Sequence, residues 1–115
     1  MIDVVFWLLV GHALADFSLQ IDVMAKGKNR NNKTTPPPGA KYISCWPYWL
    51  SAHALIHGGM VFAATGVVWA GIAEVAAHFM TDFAKCENWI TVHQDQFLHI
   101  LAKAVYVMLI VAGVW

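Results

Sequence analysis

Hydrophobic positions fall in four long blocks along this chain, at about residues 2–24, 43–65, 68–85 and 93–115, and each block predicts a helix. Inside every block the polar interruptions keep helical spacing: His12 with Asp16, His53 with His57, His78 with Asp82, and Asp95 with His99. Residues four apart share one helix face, so each helix is expected to present a single polar stripe on an apolar cylinder. Blocks of this length match the roughly 20 residues needed to cross a hydrocarbon core of about 30 Å. The pattern therefore predicts an all-α, polytopic membrane protein: one domain over 1–115, a four-helix transmembrane bundle of up-down topology.

The only long polar segment, residues 25–42, holds Lys26, Lys28, Arg30, Lys33 and Lys41, several asparagines and the run Pro36-Pro37-Pro38-Gly39. Proline runs resist helix and asparagine favours turns, so this segment is expected to be a loop. Five of the seven basic residues lie there, which by the positive-inside tendency places the loop in the cytoplasm and both chain termini outside. Lys85 is a second cytoplasmic marker, read as a lysine snorkelling at a helix end. Gly66 to Gly71, with Trp69 between them, is the expected outer turn. The opening Met-Ile-Asp-Val-Val has no basic region and no small-residue cleavage motif after it, so the first block is expected to be retained.

Composition agrees with a membrane chain. It is 59% hydrophobic and 12% charged, against roughly 45–50% and 25% in soluble domains. The formal net charge is zero, which argues against a nucleic-acid partner. Cys45 and Cys86 form no CxxC or zinc-ribbon spacing and are expected to be reduced thiols near the cytoplasmic face.

Counting 1.5 Å per residue from the cytoplasmic helix ends puts the four pairs at depths of about 3–18 Å, in one overlapping layer. His and Asp are expensive inside a bilayer unless they serve one another or an ion. Imidazole and carboxylate together suit zinc, and also manganese or iron. The candidate ligands are His12, Asp16, His53, His57, His78, Asp82, Asp95 and His99, enough for one ion with supporting groups or for two ions. An ion would neutralise aspartates that otherwise lie unpaired. Glu74 and Lys103 continue the stripes of the third and fourth helices to similar depth, and a mutual pair is expected because either charge alone would be costly. Gln20 and Gln96 are placed to orient a ligand or water. His93 lies outside the pattern, at the interface. Gly58, Gly59 and Ala63 form a small-residue face for close packing, within the bundle or in a homo-oligomer.

Three runs, Gly11-His12-Ala13-Leu14-Ala15-Asp16-Phe17-Ser18-Leu19-Gln20, His78-Phe79-Met80-Thr81-Asp82-Phe83-Ala84-Lys85 and Asp95-Gln96-Phe97-Leu98-His99, resemble the signature blocks of domain-of-unknown-function family 3307. The resemblance implies a small integral membrane protein of the bacterial inner membrane, in a host or a phage. The His and Asp pattern is also similar to that of inner-membrane proteins labelled metal-dependent hydrolases.

These readings lead to a metal-dependent hydrolase acting on a lipid or lipid-linked substrate. A bound ion would activate water, and one of Asp16, Asp82, Asp95 or Glu74 would take the proton. The alternative is a non-catalytic bundle clamped by its ion, serving as an interaction protein for another membrane protein or for the phage or host envelope. Ion transport ranks last, because the outer half of the bundle is nearly devoid of polar residues.

Overall fold

The computed structural model describes residues 1–33, 38, 39, 41 and 44–115. Pro36 and Pro37 of the proline run, and the expected start of the second helix at residue 43, lie outside the described residues. The described chain is helical: α1 (Ile2–Ala13), a π-helical turn (Leu14–Ser18), α2 (Asp22–Gly27), α3 (Trp46–Thr65), α4 (Val68–Cys86) and α5 (Val92–Val111).

Local chemistry sets the ends of these elements. Pro47 occupies the first turn of α3, where its missing N–H is harmless. Gly66 closes α3 at φ +70°, a left-handed conformation that glycine adopts without a Cβ penalty. This makes the α3–α4 turn shorter than Gly66–Gly71, because Val68 already starts α4. Thr91 caps α5 through a reciprocal box, its hydroxyl accepting from the Gln94 backbone N–H while the Gln94 side chain accepts from the Thr91 N–H.

The first expected helix is not continuous to residue 24. After Ala13 the backbone widens into the π-helical turn, Leu19 N–H bonding to Leu14 O at 2.8 Å, and Ile21 is extended. Gln20 Nε2 donates to Asp16 O at 3.0 Å, satisfying a carbonyl that the broken helix leaves open. A new helix, α2, then starts at Asp22, within the expected first helix, and runs to Gly27, inside the segment expected to be loop.

Residue pairs across the interfaces run in opposite senses: Asp16 meets His57, Glu74 meets Lys103, and Lys85 meets Asp95. Helices α1, α3, α4 and α5 thus form a bundle of antiparallel neighbours, 56 × 25 × 22 Å overall. At the α3–α4 crossing a Cβ on Gly58 would lie 2.6 Å from Gly71 O, so the absence of a side chain sets the helix separation. Gly71 therefore packs within α4 and takes no part in the turn. Gly59 has open space where its Cβ would be.

The distribution of side chains is inverted relative to a soluble bundle. A small apolar cluster of Leu8, Val61, Ala70 and Tyr106 fills one end. The rest of the interior is mixed: Ala15, Met24, Leu50, Ala54 and Cys86 are buried beside a larger polar set, His12, Asp16, Lys28, His53, His57, Glu74, His78, Asp82, Asp95, His99 and Lys103. Outside, Phe6, Trp7, Leu55, Ile72, Met80, Phe97 and Met108 are exposed. One helix among the described residues, Val92–Val111, is long and apolar enough to cross a membrane by length and composition alone. Of the others, α1 and α2 are too short, at 12 and 6 residues, while α3 carries His53 and His57, and α4 carries Glu74, Asp82 and Lys85.

Candidate metal centre

Five elements deliver the polar layer. His12 ends α1 and Asp16 sits in the π-helical turn, a local widening that often accompanies functional sites. His53 and His57 come from α3, Glu74, His78 and Asp82 from α4, and Asp95, His99 and Lys103 from α5.

At the centre, Asp16 Oδ1 lies 3.1 Å from His57 Nε2, 3.4 Å from His53 Nε2 and 4.0 Å from His78 Nε2. Asp16, His53, His57 and His78 each offer one ligand atom, all within 4.8 Å of one another, and all four residues are buried. Neither ring nitrogen of His53 or of His78 has a hydrogen-bond partner among the described residues. Buried polar nitrogens are normally paired. Two imidazoles with unpaired nitrogens beside a third imidazole and a carboxylate form a donor set that fits a divalent cation.

The rings themselves are ordered. His57 and His78 stack at 3.5 Å between centroids, and His78 and His99 at 4.1 Å. Asp16 faces the Nε2 edges of His57 and His78, while Glu74 Oε1 faces their Nδ1 edges at 3.9 and 3.7 Å. Glu74, His78 and His99 make a second convergent group of possible ligands.

All eight sequence-identified ligands lie in this interior, with different neighbours. His12 Nε2 bonds to Gln96 Oε1 at 3.0 Å, and Gln96 Nε2 donates to Asp16 Oδ2 at 2.7 Å. Asp95 Oδ1 is 3.1 Å from His99 Nε2, the arrangement by which a carboxylate fixes the orientation of an imidazole. Asp82 lies 3.7 Å from His53 Nε2, but its closest partners are ammonium groups: Lys28 Nζ and Lys85 Nζ, each at 2.6 Å. Lys85 also bonds to Asp95 Oδ2 at 2.7 Å.

These lysines change the expected charge balance. Asp82 and Asp95 are neutralised by Lys28 and Lys85, without recourse to an ion. Lys85 turns inward and bridges two carboxylates instead of extending to the interface. The expected Lys103–Glu74 pair is formed, at 2.8 Å. Among the described residues, Asp16 alone of the buried carboxylates has no ammonium partner; its neighbours are imidazoles and Gln96.

Lys28 is the interior residue that the sequence concealed. It reads as a loop charge, yet it is buried and bonded to Asp82 and to Gln20. Outside the bundle, Arg30 grips Glu87 with two bonds of 2.7 and 2.9 Å, and Asn31 Nδ2 donates to Cys86 O at 3.2 Å. Arg30 thereby holds the Glu87 carboxyl below its ordinary range. Cys45 and Cys86 are free thiols.

Fold and site together define a small all-helical protein with a buried His–carboxylate layer that could hold a metal ion. The chain belongs to the family described as "Protein of unknown function (DUF3307)", whose profile matches residues 4–114. No curated protein and no solved structure matches the chain.

Proposed function

We propose that this protein is a membrane-embedded metalloprotein that binds one divalent ion, most simply zinc, through Asp16, His53, His57 and His78. The carrying observation is the convergence of these four buried donors around Asp16, the one interior carboxylate without a lysine. A dication there balances a charge that would otherwise stand alone in a low-dielectric interior. The apolar exterior supports four membrane crossings: exposed Leu, Ile, Phe, Trp and Met around a charged interior suit hydrocarbon better than water. Lys26, Lys33 and Lys41 are exposed, consistent with loop 25–42 in the bacterial cytoplasm and both termini outside.

The proposed reaction is hydrolysis of a lipid or lipid-linked substrate. A bound zinc ion supplies an activated water and polarises a carbonyl or phosphoryl oxygen. The chain supplies the rest: Asp95 orients His99, and Gln96 ties His12 to Asp16. The clamp reading also has an observation in its favour, because His53 and His78 are fully buried and structural metal sites are closed.

Metal analysis of protein extracted from membranes, with a chelation arm, separates the two. A hydrolase keeps its helical circular dichroism on chelation and loses release of fatty acid or phosphate from bacterial lipid extracts. A clamp unfolds. Protein found in the soluble fraction without detergent, or purified with no stoichiometric ion, refutes the proposal.

A further inference from the structure

We infer that Lys103 is the site's built-in second cation: its ammonium group takes the place that Glu74, His78 and His99 would otherwise offer to a second metal ion. The inference rests on the metal reading above and deepens it by fixing the stoichiometry at one.

The second donor group is real in geometry. Glu74, His78 and His99 bring ligand atoms within 4.8 Å of one another, all buried. His78 belongs to both groups, with Nε2 4.0 Å from Asp16 Oδ1 and Nδ1 3.7 Å from Glu74 Oε1. Because a neutral imidazole has a single free lone pair, His78 could serve both ions only as an imidazolate, its remaining ring proton released to solvent on binding. Glu74 Oε2 and the His78 nitrogens lack hydrogen-bond partners.

What the interior already holds at that place is Lys103. Its Nζ donates to Glu74 Oε1 at 2.8 Å and to His99 O at 3.4 Å, and its side chain is 4% exposed. It therefore touches two of the three residues that would bind the second ion. Charge decides in its favour. Lys28, Lys85 and Lys103 offset three of the four interior carboxylates, which leaves Asp16. One dication at Asp16 would leave the layer with a single surplus positive charge. A second dication would leave surplus positive charge with no counter-ion in a medium that solvates it poorly. A lysine ammonium carries three donors, and two are used here. Lys103 also lines an apolar groove of about 300 Å³ between Leu8 and Leu9 of α1 and Ile100 and Ala104 of α5. Its position joins that groove to the metal layer.

The test is zinc content of detergent-solubilised protein after equilibration with excess zinc and desalting, with folding followed by circular dichroism. Wild type is expected to hold one ion and Lys103→Met two, because Glu74 is released. Lys103→Arg, which keeps the cation, is expected to hold one, as is Lys103→Met combined with Glu74→Gln, which removes the released ligand. Two ions in wild type overturn the inference, and so does one ion in folded Lys103→Met. A Lys103→Met protein that stays unfolded in excess zinc also overturns it, since the second ion should replace the lost charge. Wild type with no ion at all refutes the metal reading itself.

Discussion

Replacing Asp16 by asparagine should move two observables in opposite directions. Asp16 is 7% exposed, and its carboxylate accepts from Gln96 at 2.7 Å and contacts His57 at 3.1 Å with no lysine nearby. Burying an ion costs several kcal/mol even after relaxation, and a hydrogen bond to a charged group returns roughly 1.5–3 kcal/mol. Asparagine keeps one acceptor oxygen towards the histidines and gives up the bond from Gln96. The chelated Asp16→Asn protein should therefore be more stable than chelated wild type, by about 1–2 kcal/mol. Zinc binding should weaken at least about 100-fold, because loss of a supporting partner alone typically costs 10–100-fold and Asp16 is a direct ligand. At a free zinc concentration about 1,000 times the wild-type dissociation constant, stabilisation by the ion should fall from about 4.1 kcal/mol to about 1.4 kcal/mol. The assay is denaturant unfolding in detergent micelles, with and without chelator, together with zinc competition against a chromophoric chelator. An Asp16→Asn protein that is destabilised when chelated and binds zinc as wild type does would refute the placement of the ion at Asp16.

Two further predictions concern the scaffold. Gly58→Leu should destabilise the protein by about 1–3 kcal/mol or more through overpacking, since even its Cβ would press on Gly71 O, whereas Gly59→Ala should be neutral or stabilising by up to about 1 kcal/mol; equal losses at the two sites in unfolding measurements would contradict the α3–α4 crossing. The Glu87 carboxyl is held below its ordinary value of 4.5 by Arg30, so its contribution is fully present above that pH and is lost as pH falls through the lower folded value. Arg30→Ala should return the Glu87 titration, followed by NMR of a labelled side chain, to the ordinary range; an unchanged titration would show that the ion pair does not form in solution.

Much of the polar layer was legible because helical periodicity acts at short range. His12 and Asp16, or His78 and Asp82, are neighbours on a helix whatever surrounds them, and four such stripes in apolar helices have one another to face. The Glu74–Lys103 pair followed from the same reasoning, since two isolated charges at similar depth need each other. The break at residues 19–21 was not legible, because Leu19, Ile21, Val23 and Met24 continue the apolar run across it. Only Gln20 and Asp22 mark the interruption: one caps the Asp16 carbonyl and the other opens α2. That break turns Lys28 into the interior, where it meets a carboxylate on α4. A pairing between residues 28 and 82 is a long-range fact that no local pattern encodes. The same limit explains why Asp82 and Asp95 read as ligands in sequence while their nearest partners are lysines.

The central claim is that one divalent ion sits among Asp16, His53, His57 and His78. X-ray absorption at the zinc edge, on protein purified from the membrane fraction, tests it most directly. One ion per chain is expected, with about three imidazole nitrogens and one or two oxygens at roughly 2.0–2.2 Å. It is contradicted by the absence of a stoichiometric ion, or by scattering from sulfur at about 2.3 Å, which would place the metal at Cys45 or Cys86 instead.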